Sequence, residues 1–443
     1  MNYENVNILA PMVRVGTLPM RLLALDYGAD IVYNEELVDL RMLQCERVQN
    51  DILKTVDYCI EGKGEPIFRT CAKEKKKLVF QIGTANAERA VQVAKMVEGD
   101  VSAIDVNMGC PKAFSIQGGM GAALLSTPDL AKEILTSLVS AVSIPVTCKI
   151  RLLPTLEETL EFTRMLEKTG IKAFAVHGRT KADRPHHPNK NDIVREIARA
   201  ASIPVIANGG SGEISCHEDI AAFGRRTGCS SVMLARAALH NASIFADDAL
   251  QPIDDVIRRY LTYAVEYDSW PQNAKYVLLS MLGEEQNTSL CGQQLVKASQ
   301  LAEMCEIYGI KNVYEEIVSK RRDRAAHAQL RLREQQTESD DAISLPPSVI
   351  QLPSKFISKQ WQGRSPKMCV YEYSVKRGLS QPQFNTHQRS GDKWFRSVMT
   401  WDSQQYASTL WERNKRYAEQ AAAMCALMHR KLVPDHVTLE TIL

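Results

Sequence analysis

The sequence lacks the features of a membrane or secreted protein. Its 443 residues contain no run of about 18 apolar residues, so we expect no transmembrane helix. The opening stretch MNYENVNILAPM has no basic segment followed by a long apolar one, and we expect no secretory signal. The 11 cysteines are scattered and form no CxxC pair, which is typical of free thiols in a reducing compartment. We therefore expect a cytoplasmic protein.

Two further absences narrow the chemistry. His186, His187 and Cys216 are scattered, and no spacing of His, Cys or carboxylate residues indicates a metal site, so we expect no metal. No GxGxxG motif follows a predicted strand, which disfavours a dinucleotide-binding open sheet.

The charge is unevenly distributed. The net charge is +2, but residues 363–432 hold 12 lysines and arginines against 5 acidic residues, a net of +7, which leaves −5 for the rest. A basic C-terminal module on a slightly acidic body suggests a polyanion-binding appendage, and an ordinary solvated surface is the alternative.

Up to about residue 245, short β-rich runs alternate with segments of helical periodicity. The eight predicted strands are 7–12, 31–37, 78–83, 103–108, 146–152, 173–179, 204–210 and 231–237. Most are continuous apolar runs, as buried parallel strands require, and each is predicted to be followed by a helix. The pattern predicts an α/β fold, a TIM (β/α)₈ barrel over residues 1–245, with a doubly wound open sheet as the alternative.

The rest of the chain divides into four predicted parts. Residues 246–333 have helical periodicity throughout, and residues 334–362, which are polar and contain Pro346, Pro347 and Pro353, are predicted to be a linker. Residues 363–432 are predicted to form an α-β-β-β-α module, and residues 433–443 form a tail without a usable signal.

Polar residues collect at the carboxyl ends of the predicted strands, where barrels of this type have their active sites. The residues at these strand ends, including the neighbours of the polar ones, are Pro11, Met12, Glu36, Gln81, Asn107, Cys110, Lys149, Arg151, His177, Arg179, Asn208, Gly209, Gly210, Ala235 and Arg236. A lysine inside the strand VTCKIRL is costly in a dry core, so Lys149 is either a site residue or one member of a buried ion pair. The glycines of IANGGSG, with Arg236 after the next strand, favour a phosphate site, although Gly-Gly alone is usually just a turn.

The stretch DVNMGCPK, residues 105–112, presents a cysteine at the end of a strand. Gly109 lets the backbone turn, and Pro111 fixes the geometry just after the sulfur. A cysteine that only fills a core needs neither residue.

Several stretches together resemble the tRNA-dihydrouridine synthases. They are LAPMVRVG, EEL, VFQIGT, DVNMGCPK with the downstream GGMGAALL, CKIR, VHGRT and IANGGS. The resemblance covers nearly the whole chain and is greatest to the eukaryotic branch that modifies position 20 of the D-loop. It implies an FMN enzyme that uses NADPH to reduce the C5–C6 double bond of uridine in tRNA.

The resemblance also implies roles for individual residues. Cys110 would donate a proton to C5, since an unperturbed thiol with a pKa of about 8.5 is mostly protonated at neutral pH. Asn107 would orient a flipped uracil. The implied cofactor-binding residues are Pro11, Met12, Val13, Glu36, Gln81, Lys149, His177, Asn208, Gly209, Gly210, Ala235 and Arg236. Glu36 could contact the flavin or the substrate, and Arg151 and Arg179 could bind RNA phosphates or internal carboxylates.

The C-terminal module resembles a double-stranded-RNA-binding domain. Pro366, Glu372, Leu379 and Pro382 stand where its first helix and following turn need them. The last helix, NKRYAEQAAAM, would direct Lys415 and Arg416 toward RNA phosphates, and the first helix would address the minor groove. The segment before that helix, YASTLWER, and the loop SGDKW depart from the family pattern. These departures suggest a module that binds tRNA rather than double-stranded RNA in general.

Two other functions remain open at this point. The chain could be a flavin barrel that reduces a small molecule, although a basic RNA-binding appendage would then have no purpose. It could also be an RNA-binding protein with an inactive barrel, against which Cys110, Lys149 and His177 argue. The expected partner is tRNA, and we expect neither a membrane nor an obligate protein partner.

Overall fold

The computed structural model describes residues 1–62, 64–184, 186–338, 345–356, 361, 364–389 and 394–434. Contacts divide the chain into two compact units, Met1–Arg331 and Leu332–Leu443. The predicted tail from residue 435 onward lies outside the described residues, as do residues 339–344, 357–360 and 362–363 of the predicted linker. No helix in the described ranges is long and apolar enough to cross a membrane.

The first unit begins with three short strands and two helices, followed by a small sheet. Its first elements are β1 Asn7–Leu9, α1 Leu18–Asp26, β2 Ile31–Tyr33, β3 Leu37–Val38, α2 Asp39–Met42, β4 Cys45–Asn50, β5 Thr55–Ile60 and β6 Pro66–Cys71. Strands then alternate with helices: β7 Leu78–Gly83, α3 Ala87–Val97, β8 Ala103–Met108, α4 Ala113–Gln117, α5 Pro128–Ala141, β9 Val146–Leu152, α6 Leu156–Glu167, β10 Ala173–Thr180, α7 Asn191–Ala200, β11 Val205–Asn208, α8 His217–Thr227, β12 Ser231–Leu234 and α9 Arg236–His240.

Eight parallel strands close into a barrel. Their order is β2-β1-β12-β11-β10-β9-β8-β7, and β2 pairs with β7 to complete the circle. The short strand β3 adds to the end of β7, where Leu37 pairs with Ile82. The predicted (β/α)₈ barrel is therefore confirmed, and the open sheet is excluded because the two ends of the sheet are joined.

The connection after β2 differs from the prediction. Instead of a long helix, the chain forms the short helix α2 and then an antiparallel sheet of three strands in the order β4-β5-β6. The rings of Tyr58 and Phe68 pack together, and Phe68 meets Phe80 edge-on, so this sheet covers the barrel where a helix was expected. The prediction that every strand is followed by a helix is wrong at this position.

The helices around the barrel start where their sequences provide caps. The Thr155 side chain accepts the backbone N–H of Glu158 at 3.2 Å, and Glu158 in turn accepts the backbone N–H of Thr155 at 3.0 Å. This capping box satisfies two N–H groups that otherwise have no partner in the first turn of α6. The segment TLEETLEF is thereby fixed as the start of the helix that was predicted there.

The elements described after the barrel are helical up to residue 338. They are α10 Ile253–Glu266, α11 Pro271–Leu282, α12 Glu285–Thr288, α13 Leu290–Lys297, α14 Leu301–Ile307 and α15 Lys311–Glu338. The helices up to residue 331 belong to the same compact unit as the barrel. A boundary at residue 245 therefore stays a prediction.

The second unit contains the predicted α-β-β-β-α order and one additional strand. Its elements are β13 Val349–Leu352, α16 Pro366–Arg377, β14 Gln383–Gln388, β15 Phe395–Trp401, β16 Gln404–Ser408 and α17 Lys415–His429. Val349–Leu352 lies in the range predicted to be a linker, yet it pairs in parallel with β16 at the edge of the sheet. The linker prediction is wrong for these residues, because Ile350 and Leu352 pack on the core of this unit.

Candidate active site at the carboxyl end of the barrel

The parallel register of the barrel brings the predicted site residues to one end. Asn107 lies beside Lys149, and His177 lies beside both Arg151 and Asn208. The other predicted residues occupy the ends of the remaining strands: Pro11, Met12 and Val13 follow β1, Glu36 precedes β3, Gln81 lies in β7, Cys110 follows β8, Gly209 and Gly210 follow β11, and Ala235 and Arg236 follow β12.

A chain of hydrogen bonds runs from the barrel interior to the cysteine loop. The fully buried Asp105 carboxylate accepts from Gln81 Nε2 at 2.8 Å, and Gln81 Oε1 accepts from Asn107 Nδ2 at 3.0 Å. Asn107 Oδ1 then accepts the backbone N–H groups of Gly109 and Cys110, both at 2.9 Å. Asn107 therefore shapes the loop of the cysteine, and its amide keeps one N–H for a ligand.

Asp105 is a buried carboxyl group in the middle of an apolar strand. Burial raises its pKa to about 6, although hydrogen bonds from Gln81 and Thr147 and the charge of Lys149 oppose that rise. Thr147 Oγ1 donates to Asp105 at 2.7 Å. This carboxyl group holds the inner end of the hydrogen-bond chain in place, because it accepts hydrogen bonds from β7 and β9, the strands on either side of β8.

Cys110 is a half-buried thiol that faces a carboxyl group. Burial raises the pKa of Cys110, and the nearby negative charge of Glu36 raises it further. Ser115 Oγ on α4 donates to Glu36 Oε1 at 3.4 Å, so the hydroxyl, the carboxyl and the thiol share one corner of the site. A thiol in this setting stays protonated at neutral pH and suits an acid better than a nucleophile.

The loop after α4 packs directly over Cys110. The backbone carbonyl of Cys110 accepts the N–H of Ala122 at 3.0 Å. Gly121 has a φ of +59°, and a Cβ there would lie 2.7 Å from the Cys110 carbonyl oxygen and 2.4 Å from Ser115 Oγ. Glycine is needed at this position for its conformation and for its size.

Cations crowd the opposite side of the site. Burial and the charge of Arg151 lower the pKa of Lys149 to about 8. Burial, followed by the charges of Lys149 and three arginines, lowers the pKa of His177 far below its usual value, so the ring is neutral. Arg179 Nη1 lies 3.1 Å from His177 Nε2, and because arginine only donates, the ring proton sits on Nδ1. The surplus of positive charge favours an anionic ligand.

Arg151 and Arg179 bind backbone carbonyls. Arg151 donates to the carbonyl of Gly109 at 2.7 Å and to that of Thr180 at 3.1 Å. Arg179 donates to the carbonyl of Gly209 at 2.9 Å. Each guanidinium therefore holds loops of the site together. The sequence had suggested RNA phosphates or internal carboxylates as partners of these two arginines, and not backbone carbonyls.

The glycine segment after β11 is tightly enclosed. Asn208 Nδ2 donates to the carbonyl of Met233 at 2.8 Å, which joins β11 to β12. Gly209 has a φ of +110°, and a Cβ there would lie 2.1 Å from Asn189 Oδ1. A Cβ on Gly210 would lie 2.6 Å from the ring of Phe223. Only glycine fits at these two positions, because a side chain at either one would clash with Asn189 or Phe223.

The loop after β1 is held in a strained conformation next to Val13. Arg14 has a φ of +68°, its N–H donates to Glu35 Oε2 at 2.6 Å, and its carbonyl accepts from Asn273 of α11 at 2.9 Å. The guanidinium lies 4.0 Å from the ring centroid of Tyr276. Val13 itself is 52% exposed, so the loop presents an apolar side chain at the mouth of the site.

Three residues of this site were missed in the sequence. Asp105, Ser115 and Glu35 contact the predicted residues, yet no motif singled them out. Only Asp105 carries a usable signal, since a carboxylate inside the apolar run AIDVNM needs a buried partner. The other two are polar residues in loops or short helices, where such residues are common.

The predicted RNA-binding pair lies in the second unit. Lys415 and Arg416 are exposed in the first turn of α17, after the cap in which Asn414 Oδ1 accepts the N–H of Tyr417 at 2.8 Å. The first helix, α16, exposes Met368, Tyr371 and Val375 on one face. Residues 390–393 of the predicted SGDKW loop lie outside the described residues. The buried Trp401 donates to Ser374 Oγ at 2.8 Å and joins the sheet to α16.

Comparisons with known proteins give two family matches. The model of "Dihydrouridine synthase (Dus)" matches residues 8–335, and that of "Double-stranded RNA binding motif" matches residues 366–429. A crystal structure of the dsRBD of human tRNA-dihydrouridine(20) synthase, as a double mutant, is 39% identical and covers 19% of this chain and 91% of that chain, with a TM-score of 0.19.

Two curated relatives come from yeasts. The tRNA-dihydrouridine(20) synthase (NAD(P)+) of Schizosaccharomyces pombe is 37% identical over 326 residues, which are 71% of this chain and 66% of that protein. The enzyme of the same name from Saccharomyces cerevisiae is 39% identical over 295 residues, 62% of this chain and 77% of that protein. The chain thus spans about two thirds or more of each relative. It belongs to the dihydrouridine synthase family of enzymes and carries a C-terminal double-stranded-RNA-binding motif.

Proposed function

We propose that this protein reduces the C5–C6 double bond of a uridine in tRNA to dihydrouridine, with FMN as its cofactor and NADPH as the reductant. The observation that carries the proposal is the site itself. A protonated thiol, Cys110, faces a cluster of buried cations at the carboxyl end of a barrel of the dihydrouridine synthase family.

The site residues fit a flavin mononucleotide. Four basic residues lie close together in the site: Lys149, Arg151, His177 and Arg179. The Asp105 carboxylate raises the pKa of Lys149, whereas burial and the charge of Arg151 lower it. An anionic ring or phosphate would offset this surplus of positive charge. The enclosed glycines Gly209 and Gly210 would offer backbone N–H groups to the phosphate, together with Asn208, Ala235 and the Arg236 cation. Pro11, Met12 and Val13 would line the ring system, and Gln81 would bind its edge.

The chemistry that a bound FMN supplies is hydride transfer to C6 of the uracil, with electrons that come from NADPH. Lys149, which lies beside Asn107 in the barrel, would stabilise negative charge in the site, since its pKa of about 8 leaves it mostly charged at neutral pH. The neutral His177 supplies a hydrogen bond from Nδ1 rather than a second charge.

Cys110 holds the proton that C5 requires. The hydrogen bonds from the Gly109 and Cys110 N–H groups to Asn107 Oδ1 fix the loop, and the remaining N–H of Asn107 is available to a carbonyl oxygen of the uracil. The thiol stays protonated in this setting, so it can act as a general acid. A uridine must leave its stack to reach this buried position.

The names of the relatives support position 20 of the D-loop as the target. The two relatives named for position 20 are 37% and 39% identical to this chain, whereas those named for positions 20a/20b or 16/17 are between 27% and 32% identical. The second unit would bind the duplex part of the tRNA through Lys415 and Arg416 in α17 and through the exposed face of α16.

The test is the dihydrouridine content of unmodified tRNA after incubation with NADPH and the protein, measured by mass spectrometry of nucleosides. We expect dihydrouridine with the native protein and a loss of at least about a hundredfold in its rate with Cys110→Ala, while the yellow flavin stays bound. A native protein that oxidises NADPH but leaves every uridine unchanged would refute the tRNA substrate and favour a small-molecule flavin reductase. A colourless native protein without activity would favour an RNA-binding role with an inactive barrel.

A further inference from the structure

Glu36 is a buried carboxyl group that the residues around it leave incompletely paired. The residue is 9% exposed, and its Oε2 atom is buried without a hydrogen-bond partner. The other oxygen, Oε1, accepts from Ser115 at 3.4 Å. Burying such a group is costly, so a carboxyl retained in this position calls for a reason beyond packing.

The surroundings of Glu36 confine it to the Cys110 side of the site. A Cβ on Gly83, at the end of β7, would lie 2.7 Å from Glu36 Oε1, so the carboxyl rests directly on that strand. The Ser115 hydroxyl that it contacts lies within 2.4 Å of the point where a Gly121 Cβ would be, and Cys110 Cβ lies 2.9 Å from the same point. The carboxyl, the hydroxyl and the thiol therefore form one cluster, defined by Glu36, Ser115 and Cys110.

The charges that face the thiol come from two directions. Lys149 and Arg151 act on Cys110 from β9, and the backbone N–H of Lys112 approaches it from its own loop. Glu36 is the carboxylate that acts on the thiol from the opposite side, and burial raises the pKa of Glu36 as well. Without Glu36, burial alone would still raise the pKa of Cys110, and no carboxylate would offset the cations of β9 that act in the opposite direction.

We propose that Glu36 is a positioning residue for Cys110: its carboxylate orients the thiol and opposes the loss of its proton to solvent, so that the thiol reaches the substrate as an acid. This role rests on the proposed function and differs from the contact with flavin or with substrate that the sequence suggested for Glu36.

The proton transfer balances as follows in this arrangement. Once hydride has reached C6, the carbanion at C5, which shares its charge with the neighbouring carbonyl oxygen, takes the proton of Cys110. The S–H bond breaks, a C5–H bond forms, and the S–H electron pair remains on sulfur as a thiolate. Repulsion from Glu36 disfavours that thiolate, which takes a proton from water, leaves a hydroxide ion to the buffer and returns to its acid form.

The test compares the pH dependence of Cys110 alkylation by iodoacetamide in the native holoenzyme and in Glu36→Gln. The modified peptides are quantified by mass spectrometry, and Cys291, which lies in α13, serves as an internal reference. Since the thiolate is the reactive form, we expect Glu36→Gln to react on the order of tenfold faster at a pH where the native thiol is mostly protonated, with the two rates converging at alkaline pH, where both thiols are ionised. Glu35→Gln is the matched control, because that carboxylate binds the Arg14 N–H, and its profile should follow the native one.

Each alternative outcome has a defined meaning. An unchanged profile in Glu36→Gln, or a rise by the same factor at every pH, would overturn the proposal, since the second result reports only greater access to the thiol. If Glu36→Gln does not fold, Glu36→Asp serves instead, because it retains the charge at a greater distance from the thiol. The apparent pKa of Cys110 in Glu36→Asp must then fall below its value in the native protein. The proposed function is tested separately, because a native protein that forms no dihydrouridine at any pH refutes that function whatever the alkylation profile shows. If it does form dihydrouridine, the alkaline fall in activity should begin at lower pH in Glu36→Gln.

Discussion

One prediction concerns the stability of the first unit and the packing of Gly121 against the Cys110 loop. In Gly121→Ala the new methyl group would meet Ser115 Oγ at 2.4 Å and the Cys110 carbonyl at 2.7 Å, and the residue would keep a φ of +59° that side chains rarely adopt. A left-handed conformation costs roughly 1–2 kcal/mol, and overpacking typically costs about 1–3 kcal/mol more. We expect the free energy of unfolding of the first unit to fall by roughly 2–5 kcal/mol.

Two other glycines separate these costs. Gly309 has a φ of +71° but open space around it, so Gly309→Ala should show only the conformational cost of roughly 1–2 kcal/mol. Gly99 is exposed, with no atom within 4 Å of its Cβ position, so Gly99→Ala should be neutral or stabilising by up to about 1 kcal/mol.

The assay has a stability arm and an activity arm. Differential scanning calorimetry gives the unfolding temperature of the first unit, and nucleoside mass spectrometry gives the rate of dihydrouridine formation. Gly121→Ala should have the lowest unfolding temperature of the three variants and should lose most of its activity, because the Cys110 loop must move to admit the methyl group. If Gly121→Ala is no less stable than Gly309→Ala and forms dihydrouridine at the native rate, the close packing of this loop is not a requirement of the site.

Three further predictions test separate parts of the molecule. The pKa of Asp105 is raised to about 6 in the folded state, so its contribution to stability is fully present below about pH 4 and falls by about 3 kcal/mol as the pH rises through 6. Asp105→Asn should flatten the plot of the free energy of unfolding in urea against pH over this range. An unaltered slope of that plot would argue against a titrating carboxyl group. Replacing Lys415 and Arg416 together by alanine should weaken tRNA binding and reduce the slope of log affinity against log salt by about 1.5–2, whereas an unchanged slope would exclude phosphate contacts by this pair. Ser374→Ala should lower the stability of the second unit by about 1–3 kcal/mol in urea unfolding, because Trp401 Nε1 loses its acceptor at 2.8 Å; no loss would mean that water replaces the hydroxyl.

The barrel could be predicted because its strands are apolar runs bounded by helices, a pattern that few folds share. The small sheet β4–β6 could not, since the strand CERVQN is exposed along most of its length and has no apolar alternation. Strand β13 was hidden by the prolines around it, which are typical of a linker. Its place in the sheet depends on pairing with β16, more than 50 residues later, and no local pattern reports such a partner.

The candidate site was predicted in its residue types but not in its contacts. Parallel strands bring their carboxyl ends together whatever the details, which is why Lys149 and His177 could be assigned to one rim. Which atom each side chain contacts depends on distances between strands. The sequence therefore gave no means to see that Arg179 binds a backbone carbonyl, or that Asn107 is largely occupied by its own loop.

Strand β13 has a consequence for the solubility of the second unit. It covers the edge of β16, whose backbone groups would otherwise be free to pair with a strand of another molecule. Pro347 and Pro353 bound this four-residue strand, and prolines next to an outer edge hinder the addition of further strands. A fragment that begins at the start of the family match, near Pro366, would lack β13 and expose the unpaired edge of β16 and the apolar surface that β13 covers. We expect this fragment to aggregate under conditions in which a fragment that begins before Val349 remains monomeric.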